Sequence, residues 1–231
     1  MSATSPGSGT LSDTQVRAMF DRIARVYDRM NSVMTAGMHH RWRERAAELA
    51  NVGPGSTALD VATGTGDLAI ELARRGAEVT GTDFAPAMLE IARRKAPGLR
   101  FEEGDALNLT YPDGSFDAAT VGFGARNFAD LDRGLAEMAR VVRPGGRVVV
   151  LEITTPTKPP LSWFFRAWFD RIVPQVGKLA DSDAYTYLPS SVRRFPGPAE
   201  LGSRMAAAGL VDVRWILTAG GIIAIHVGSR S

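Results

Sequence analysis

Leu59-Asp-Val-Ala-Thr-Gly-Thr-Gly-Asp67 is a short apolar run ending in a turn that carries two glycines. Gly64 and Gly66 let the backbone come close to a ligand, and the N–H groups of the helix that follows face whatever sits there. A dinucleotide fingerprint needs three glycines, and here Ala62 and Ala69 stand where further glycines would fall. The acidic context is more informative: Asp60 in the run and Asp67 at the helix start suit a ligand bearing a cation and disfavour a pyrophosphate. The plain alternative is a tight strand-to-helix turn with an ordinary helix-start aspartate.

Outward from this turn, strands and helices alternate. Thr57–Ala62 reads as a strand, Leu68–Arg75 as a helix, Glu78–Asp83 as a strand, and Pro86–Lys95 as a helix with proline in its first turn. Strands at Arg100–Glu103, Phe116–Phe123 and Arg147–Ile153 follow, with a helix at Asp130–Val142 between the last two. This alternation predicts right-handed crossovers and a largely parallel sheet covered on both faces. After a helix at Pro198–Ala208, the strands Val211–Leu217 and Gly221–Val227 are too close for a crossover and predict an antiparallel hairpin at the sheet edge. Before the sheet, Ser12 and Gln15 form a capping box, and Val16, Met19, Phe20, Ile23, Val26, Tyr27 and Met30 trace one helical face. A loop holding Gly37 and His39 leads to a second helix from about Arg41 to Asn51.

The 231 residues suit one decorated α/β domain, and 45% hydrophobic with 23% charged residues excludes wholesale disorder. A net charge of +2 argues against a nucleic-acid binder, and no Asn/Asp-Pro-Pro-aromatic motif is present, since Pro159-Pro160 is followed by Leu161. The absence of cysteine removes disulfides, thiolate nucleophiles and Cys-ligated zinc. Residues 1–11 read as a disordered leader and 12–231 as one domain. No apolar run approaches the roughly 20 residues of a membrane span, so the expected location is cytoplasmic or peripheral at the inner face of a membrane.

Two more strand ends carry acids. Asp83, 17 positions beyond Gly66, is placed to accept both hydroxyls of an adenosine ribose, from NAD or from S-adenosylmethionine. Asp105 could accept from an adenine amino group while Ala106 supplies a backbone N–H; a loop-capping aspartate is the alternative.

With these residues in view, the chain resembles the class I S-adenosylmethionine-dependent methyltransferases, whose five parallel strands are closed by an antiparallel hairpin. More narrowly, it is similar to the menaquinone/ubiquinone biosynthesis C-methyltransferases. The resemblance is carried by Tyr27-Asp-Arg-Met-Asn-Ser-Val-Met-Thr-Ala-Gly-Met-His39-His-Arg-Trp42, by Phe123-Gly-Ala-Arg-Asn127 and by Arg140-Val-Val-Arg-Pro-Gly-Gly-Arg-Val-Val-Val-Leu-Glu152-Ile-Thr154. Tyr185-x-Tyr187-Leu188 and Gly220-Gly-Ile-Ile-Ala-Ile-His226 extend it to nearly the whole chain.

The resemblance implies S-adenosyl-L-methionine as cofactor, with contacts at Thr63, Asp83, Asp105 and Ala106 beside Asp60, Gly64 and Gly66, and with Thr63 as a donor near the methionine moiety. Gly122 stands where the family usually has serine. The implied activity is methyl transfer to a ring carbon of a polyprenyl quinol, demethylmenaquinol or a ubiquinone precursor. The competing class, an NAD-dependent oxidoreductase, is disfavoured by the incomplete glycine loop and the terminal hairpin.

Carbon methylation needs a phenolate that pushes charge onto the adjacent ring carbon. Arg126, with Asn127 beside it, is a candidate to stabilise that phenolate; the alternative is a salt bridge to Asp130 or Asp132. His39 reads either as general base or as a packing residue, and Tyr185 and Tyr187 either as quinol-pocket or as core aromatics. The insertion 156–198 gathers Trp163, Phe164, Phe165, Trp168 and Phe169 with Arg166, Arg171 and Lys178. With the N-terminal helices (12–52) it is read as a substrate cover. Residues 161–179 suit a membrane interface, a lid over a greasy substrate, or a packed or homodimer surface.

Overall fold

The structure, a computed structural model, describes residues 13–167 and 184–231. The 1–11 leader, Ser12 of the capping box, and Trp168, Phe169, Arg171 and Lys178 of the insertion lie outside them, as do the side chains of Val26, Phe164, Arg166 and Tyr185. Seven strands form one sheet in the order β3-β2-β1-β4-β5-β7-β6: β1 (Thr57–Val61), β2 (Glu78–Asp83), β3 (Arg100–Glu103), β4 (Phe116–Gly122), β5 (Val142–Ile153), β6 (Leu210–Thr218) and β7 (Ile223–Arg230). Strands β1 to β5 pair in parallel, β7 runs antiparallel to β5, and β6 closes the edge antiparallel to β7.

Side-chain alternation along β5 divides the core. Val149 and Leu151 pack with Leu68, Leu72 and Leu89 on one face, whereas Val148 and Val150 pack with Leu135, Met138, Leu201 and Met205 on the other. Burial on both faces is why this strand is a near-continuous apolar run. Helices α1 (Asp13–Thr35), α2 (Met38–Ala50), α3 (Asp67–Arg74), α4 (Pro86–Lys95), α5 (Leu131–Val141), α6 (Leu161–Ala167), α7 (Ala184–Arg194) and α8 (Pro198–Ala207) surround the sheet.

The long helix α1 is tied down outside the sheet. Its Asp21 carboxylate accepts from the Ala87 N–H at the start of α4 (3.1 Å), and its Arg17 pairs with Glu103 at the end of β3 (2.6 Å). Among the described residues no helix is long and apolar enough to cross a membrane.

Two predicted boundaries move. Strand β5 begins at Val142 rather than Arg147, because a bulge admits 143–146 between the Phe116–Val142 and Ala118–Arg147 pairs. Gly146 permits it: a Cβ there would lie 2.4 Å from the Asp117 carbonyl oxygen. Helix α2 begins at Met38, entered from Gly37 in the left-handed region (φ 75°), so His39 sits in its first turn and not in a loop.

Candidate active site

Winding reverses between β1 and β4, and the loops at the carboxyl ends of these strands open into the crevice where open α/β sheets bind ligands. Asp60 of β1 lies opposite Thr120 of β4, whose hydroxyl donates to Asp60 Oδ1 (2.7 Å), while the Thr63 hydroxyl donates to Oδ2 (2.6 Å). At the end of β2, Asp83 accepts from the Gly64 N–H (2.7 Å) and the Ala85 N–H (2.9 Å). Burial pushes both carboxyls up to about 6, against the hydrogen bonds that favour their ionised forms. The turn between them needs its glycine: Gly66 has φ 84°, and a Cβ there would stand 3.0 Å from the Phe101 ring and 3.1 Å from Ala92 Cβ.

These groups wall a cavity of about 360 Å³ that also takes in Phe20 and Tyr27 of α1, Gly104, Asp105, Ala106, Gly122 and Asn127. Asn127 Oδ1 is buried in this wall without a hydrogen-bond partner among the described residues. One oxygen of Asp105 accepts from the Leu107 N–H (2.8 Å) and so caps its own turn. Because the Thr63 hydroxyl proton is taken up by Asp60, Thr63 meets a ligand as an acceptor, the reverse of the donor expected. Asp67 lines the same wall, but Lys95 and Arg43 offset its charge.

A wall of two buried carboxylates, a threonine oxygen and an orphaned amide oxygen is acceptor-rich. It fits a ligand with hydroxyls, amino groups and positive charge, as S-adenosylmethionine has. Gly122 adds no side chain to this wall, and a Cβ there would stand 3.1 Å from Leu68 Cδ2, the flexible end of a leucine. Gly122→Ser is therefore expected to tighten S-adenosylhomocysteine binding about 2- to 10-fold, the value of one added hydrogen bond; calorimetric titration of the two proteins checks it.

A second cavity of about 350 Å³ adjoins the first and is mostly apolar, with Met34, Met38, Trp42, Phe165, Leu188, Ile222 and Ile223 in its wall beside His39 and Arg126. Three residues line both cavities: Tyr27, Arg43 and Phe123. Phe123 holds a left-handed backbone (φ 62°) where β4 ends. Its ring meets Trp42 edge-on at 6.4 Å and lies 5.3 Å from the Arg43 guanidinium.

The structure separates the two neighbours Arg126 and Asn127. Asn127 faces the cofactor-side cavity and Arg126 the apolar one. Arg126 Nη1 donates to both oxygens of Glu152 (2.9 and 3.1 Å) and to the Phe123 carbonyl, and both side chains of the pair are buried. Asp130 and Asp132, the partners considered from sequence, are engaged elsewhere: Asp130 caps α5 and Asp132 pairs with Arg204. Arg126 Nε is buried without a partner among the described residues.

His39 is 2% exposed. A guanidinium has no acceptor, so the Arg43 contact assigns the lone pair to His39 Nδ1, and Nε2–H donates to the Ser32 hydroxyl (3.1 Å). Burial first, then Arg43 and His40, lowers His39 to about 4, so it stands neutral at pH 7.

Tyr187 is a correction. It packs with Val16 and Met19 beneath α1 and lines neither cavity, because α7 turns its neighbour Leu188 to the apolar chamber instead. Sequence reasoning missed Glu152, Phe123 and Arg43 as site residues. An acid inside the valine-rich run of β5 was the signal for Glu152. The i, i+4 spacing from His39 would have exposed Arg43 had α2 been started at Met38.

The doubly wound sheet with its antiparallel hairpin, and the acidic crevice joined to an apolar chamber, define a class I S-adenosylmethionine-dependent methyltransferase. Solved structures agree on the fold. A methyltransferase from Thermotoga maritima described as a possible histamine N-methyltransferase superposes with a TM-score of 0.67 at 19% identity, covering 93% of this chain and 99% of that one. The [4+2]-cyclase SpnF superposes with a TM-score of 0.70 at 20% identity, covering 95% and 96%.

Sequence goes further: the profile of the ubiE/COQ5 methyltransferase family matches residues 9–230, and the chain belongs to that family. It is 50% identical over 220 residues to the demethylmenaquinone methyltransferase of Thermus thermophilus, with 92% of this chain and all of that one covered. Against the Deinococcus radiodurans demethylmenaquinone methyltransferase it is 47% identical over 223 residues, covering 93% and 92%.

Proposed function

We propose that the chain transfers a methyl group from S-adenosylmethionine to a ring carbon of demethylmenaquinol, yielding menaquinol. The observation that carries this is the pair of cavities meeting at Tyr27, Arg43 and Phe123, one acceptor-rich and one apolar. When bound, S-adenosylmethionine supplies an electrophilic methyl on a sulfonium and leaves as a neutral thioether.

The chain's own residues orient and shield. Asp83 and Asp105 receive the adenosine; Asp60, Thr63 and Asn127 receive the cationic methionine end, with Gly64, Gly66, Ala106 and Gly122 leaving backbone room around it. Trp42, Phe123 and Phe165 exclude water from the quinol ring and the first units of its prenyl chain, since apolar walls leave a developing phenolate nothing to lean on but the placed donors. Arg126 faces the ring as half of an ion pair with Glu152, and its free Nε is a donor for a quinol oxygen. His39, neutral and with both ring nitrogens engaged, fixes the start of α2. Helices α1 and α2, with α6 and α7 of the insertion, form the cover.

Incubation with labelled S-adenosylmethionine and each demethylated quinol tests the substrate. Turnover of the naphthoquinol at least ten times faster than the benzoquinol precursor is expected, and the opposite preference overturns this choice.

The polyprenyl tail of such a substrate resides in a bilayer, and Trp163 at the head of α6 is 63% exposed while Phe165, two residues on, is buried in the apolar chamber wall. The proposal therefore includes peripheral docking through this helix. Wild type is expected to pellet with anionic liposomes and Trp163→Ser to pellet several-fold less; no pelleting of either contradicts it.

A further inference from the structure

We propose that Arg43 is the residue that holds the ionised quinol oxygen next to the methyl-accepting carbon, a role that rests on the quinol reading above and deepens it. Three observations converge. The first is place: Arg43 lines both cavities, whereas Arg126 lines only the apolar one. The carbon that accepts the methyl must lie where the cavities join, and the oxygen that activates it is on the adjacent ring atom, so a group that stabilises that oxygen has to stand at the junction.

The second is charge. Arg126 makes direct hydrogen bonds to both oxygens of buried Glu152, and its field on the ring is largely cancelled at close range. Arg43 makes no direct hydrogen bond to a carboxylate among the described residues, only a longer ion pair. Its nearest carboxylate oxygen, on Asp67, is 3.7 Å from Nη2, beyond hydrogen-bond reach, and Asp67 is itself bonded to Lys95.

The third is donors. Arg43 Nη1 is engaged by His39 Nδ1 and the His39 carbonyl (3.4 Å), which lock the guanidinium from its own helix and leave Nε and Nη2 without a hydrogen bond among the described residues, Nη2 making only the 3.7 Å ion pair with Asp67. The face of the Phe123 ring steadies the same guanidinium. A buried arginine held on one side and open on the other is a preorganised oxyanion donor.

The chemistry then balances without a protein base. The hydroxyl proton of the bound quinol passes to water, and Arg43 lowers the cost of the resulting phenolate. The phenolate electrons drive formation of the new carbon–carbon bond as the methyl–sulfur bond breaks and its electron pair stays on sulfur. The ring hydrogen then leaves as a proton, restoring the aromatic ring. Other charged groups facing Arg43 are Asp28 of α1, reached through Lys95 of α4, Asp67 of α3, Asp60 of β1, and His39 and His40 of α2. Of these, burial pushes Asp60 up to about 6 and lowers His39 to about 4, so above pH 7, where the limb is read, Asp60 stays ionised and His39 neutral.

The test uses Arg43→Gln and Arg43→Lys with wild type as control. One readout is the pH dependence of kcat on demethylmenaquinol. The other, independent of turnover, is the ultraviolet ionisation curve of bound 4-methoxy-1-naphthol, a quinol mono-ether that cannot oxidise to the quinone.

In Arg43→Gln both the acid limb and the bound naphthol pKa are expected to rise by at least one unit, with kcat tenfold or more down at pH 7 and largely recovered near pH 10. Arg43→Lys should fall between. A merely structural role would depress kcat equally at every pH. Unchanged limb and naphthol pKa in an Arg43→Gln enzyme that still binds and turns over overturn the assignment; failure of wild type to methylate either quinol overturns the substrate reading beneath it.

Discussion

Replacing Arg126 by alanine is expected to cost about 3–5 kcal/mol of folding stability, because it strands a charge that the fold has already removed from water. Glu152 is 1% exposed in the middle of the sheet, and its carboxylate also accepts from the Ile153 N–H at 2.8 Å. Burial already raises its pKa, and Arg126 is the main influence holding it down.

The sign with pH follows. A carboxyl whose folded pKa lies above its unfolded value loses stability as pH rises, and without Arg126 that elevation grows. Arg126→Ala should therefore lie closest to wild type near pH 5 and furthest from it at pH 8, where denaturant titration reads the full loss. Arg126→Met combined with Glu152→Gln removes the stranded charge but keeps an amide oxygen for Ile153. Most of the stability is expected to return while turnover stays low. A loss under 1 kcal/mol for Arg126→Ala at pH 8 would mean that the pair is not buried as described.

The second large effect is at Asp83. Its carboxylate organises the Gly64 and Ala85 N–H groups and offers its remaining lone pairs to the cofactor-side cavity. Asp83→Ala is expected to weaken S-adenosylhomocysteine by roughly 10- to 150-fold, the value of about 1.5–3 kcal/mol for hydrogen bonds to a charged group.

Its titration makes a second readout. Asp83 and Asp60 are each pushed up to about 6 from 3.8. Between those values the native protein holds protons that the unfolded chain has lost, so these two groups make the ligand-free protein less stable as pH climbs from about 4 to 6. A ligand that donates to the ionised carboxylates reverses this, and affinity should rise on the order of tenfold per carboxylate between pH 5 and 7. Asp83→Asn should remove its share of that rise. A flat profile in wild type would show that the ligand does not engage these groups.

Most of the sheet was legible in sequence because its signals are local. Glu78–Asp83 and Pro86–Lys95 carry their own bounds: a run of strand formers ending in an acid, and a proline at a helix start. The acids near strand ends were legible for the same reason, since Asp60 is the penultimate residue of β1 and Asp83 the last of β2, both at the crevice. What escaped was set by tertiary contact. Nothing near Val142 announces that 143–146 bulge out of β5, a consequence of pairing with Phe116 and Ala118 from another strand.

Side-chain direction escaped in the same way. Tyr187 and Leu188 are adjacent, and only the docking of α7 against α1 decides which of them meets the substrate chamber. Arg126 was singled out from the sequence and the structure places it in the wall of the apolar chamber, but its partner lies 26 residues away on β5, and aspartates close in sequence were the wrong place to look. Thr63 shows a finer limit. Its position at the cofactor wall was readable, and its role as acceptor depends on a proton already held by Asp60.

Delivery of a methyl to carbon by the two joined cavities is open to a direct measurement. Wild type incubated with demethylmenaquinol and S-adenosylmethionine carrying a carbon-13 methyl should yield a product whose labelled methyl shows a ring-carbon shift in nuclear magnetic resonance, with the ring proton signal lost in equal measure. A labelled methyl ether, or an unlabelled quinol recovered from an enzyme that demonstrably binds the cofactor, would contradict it.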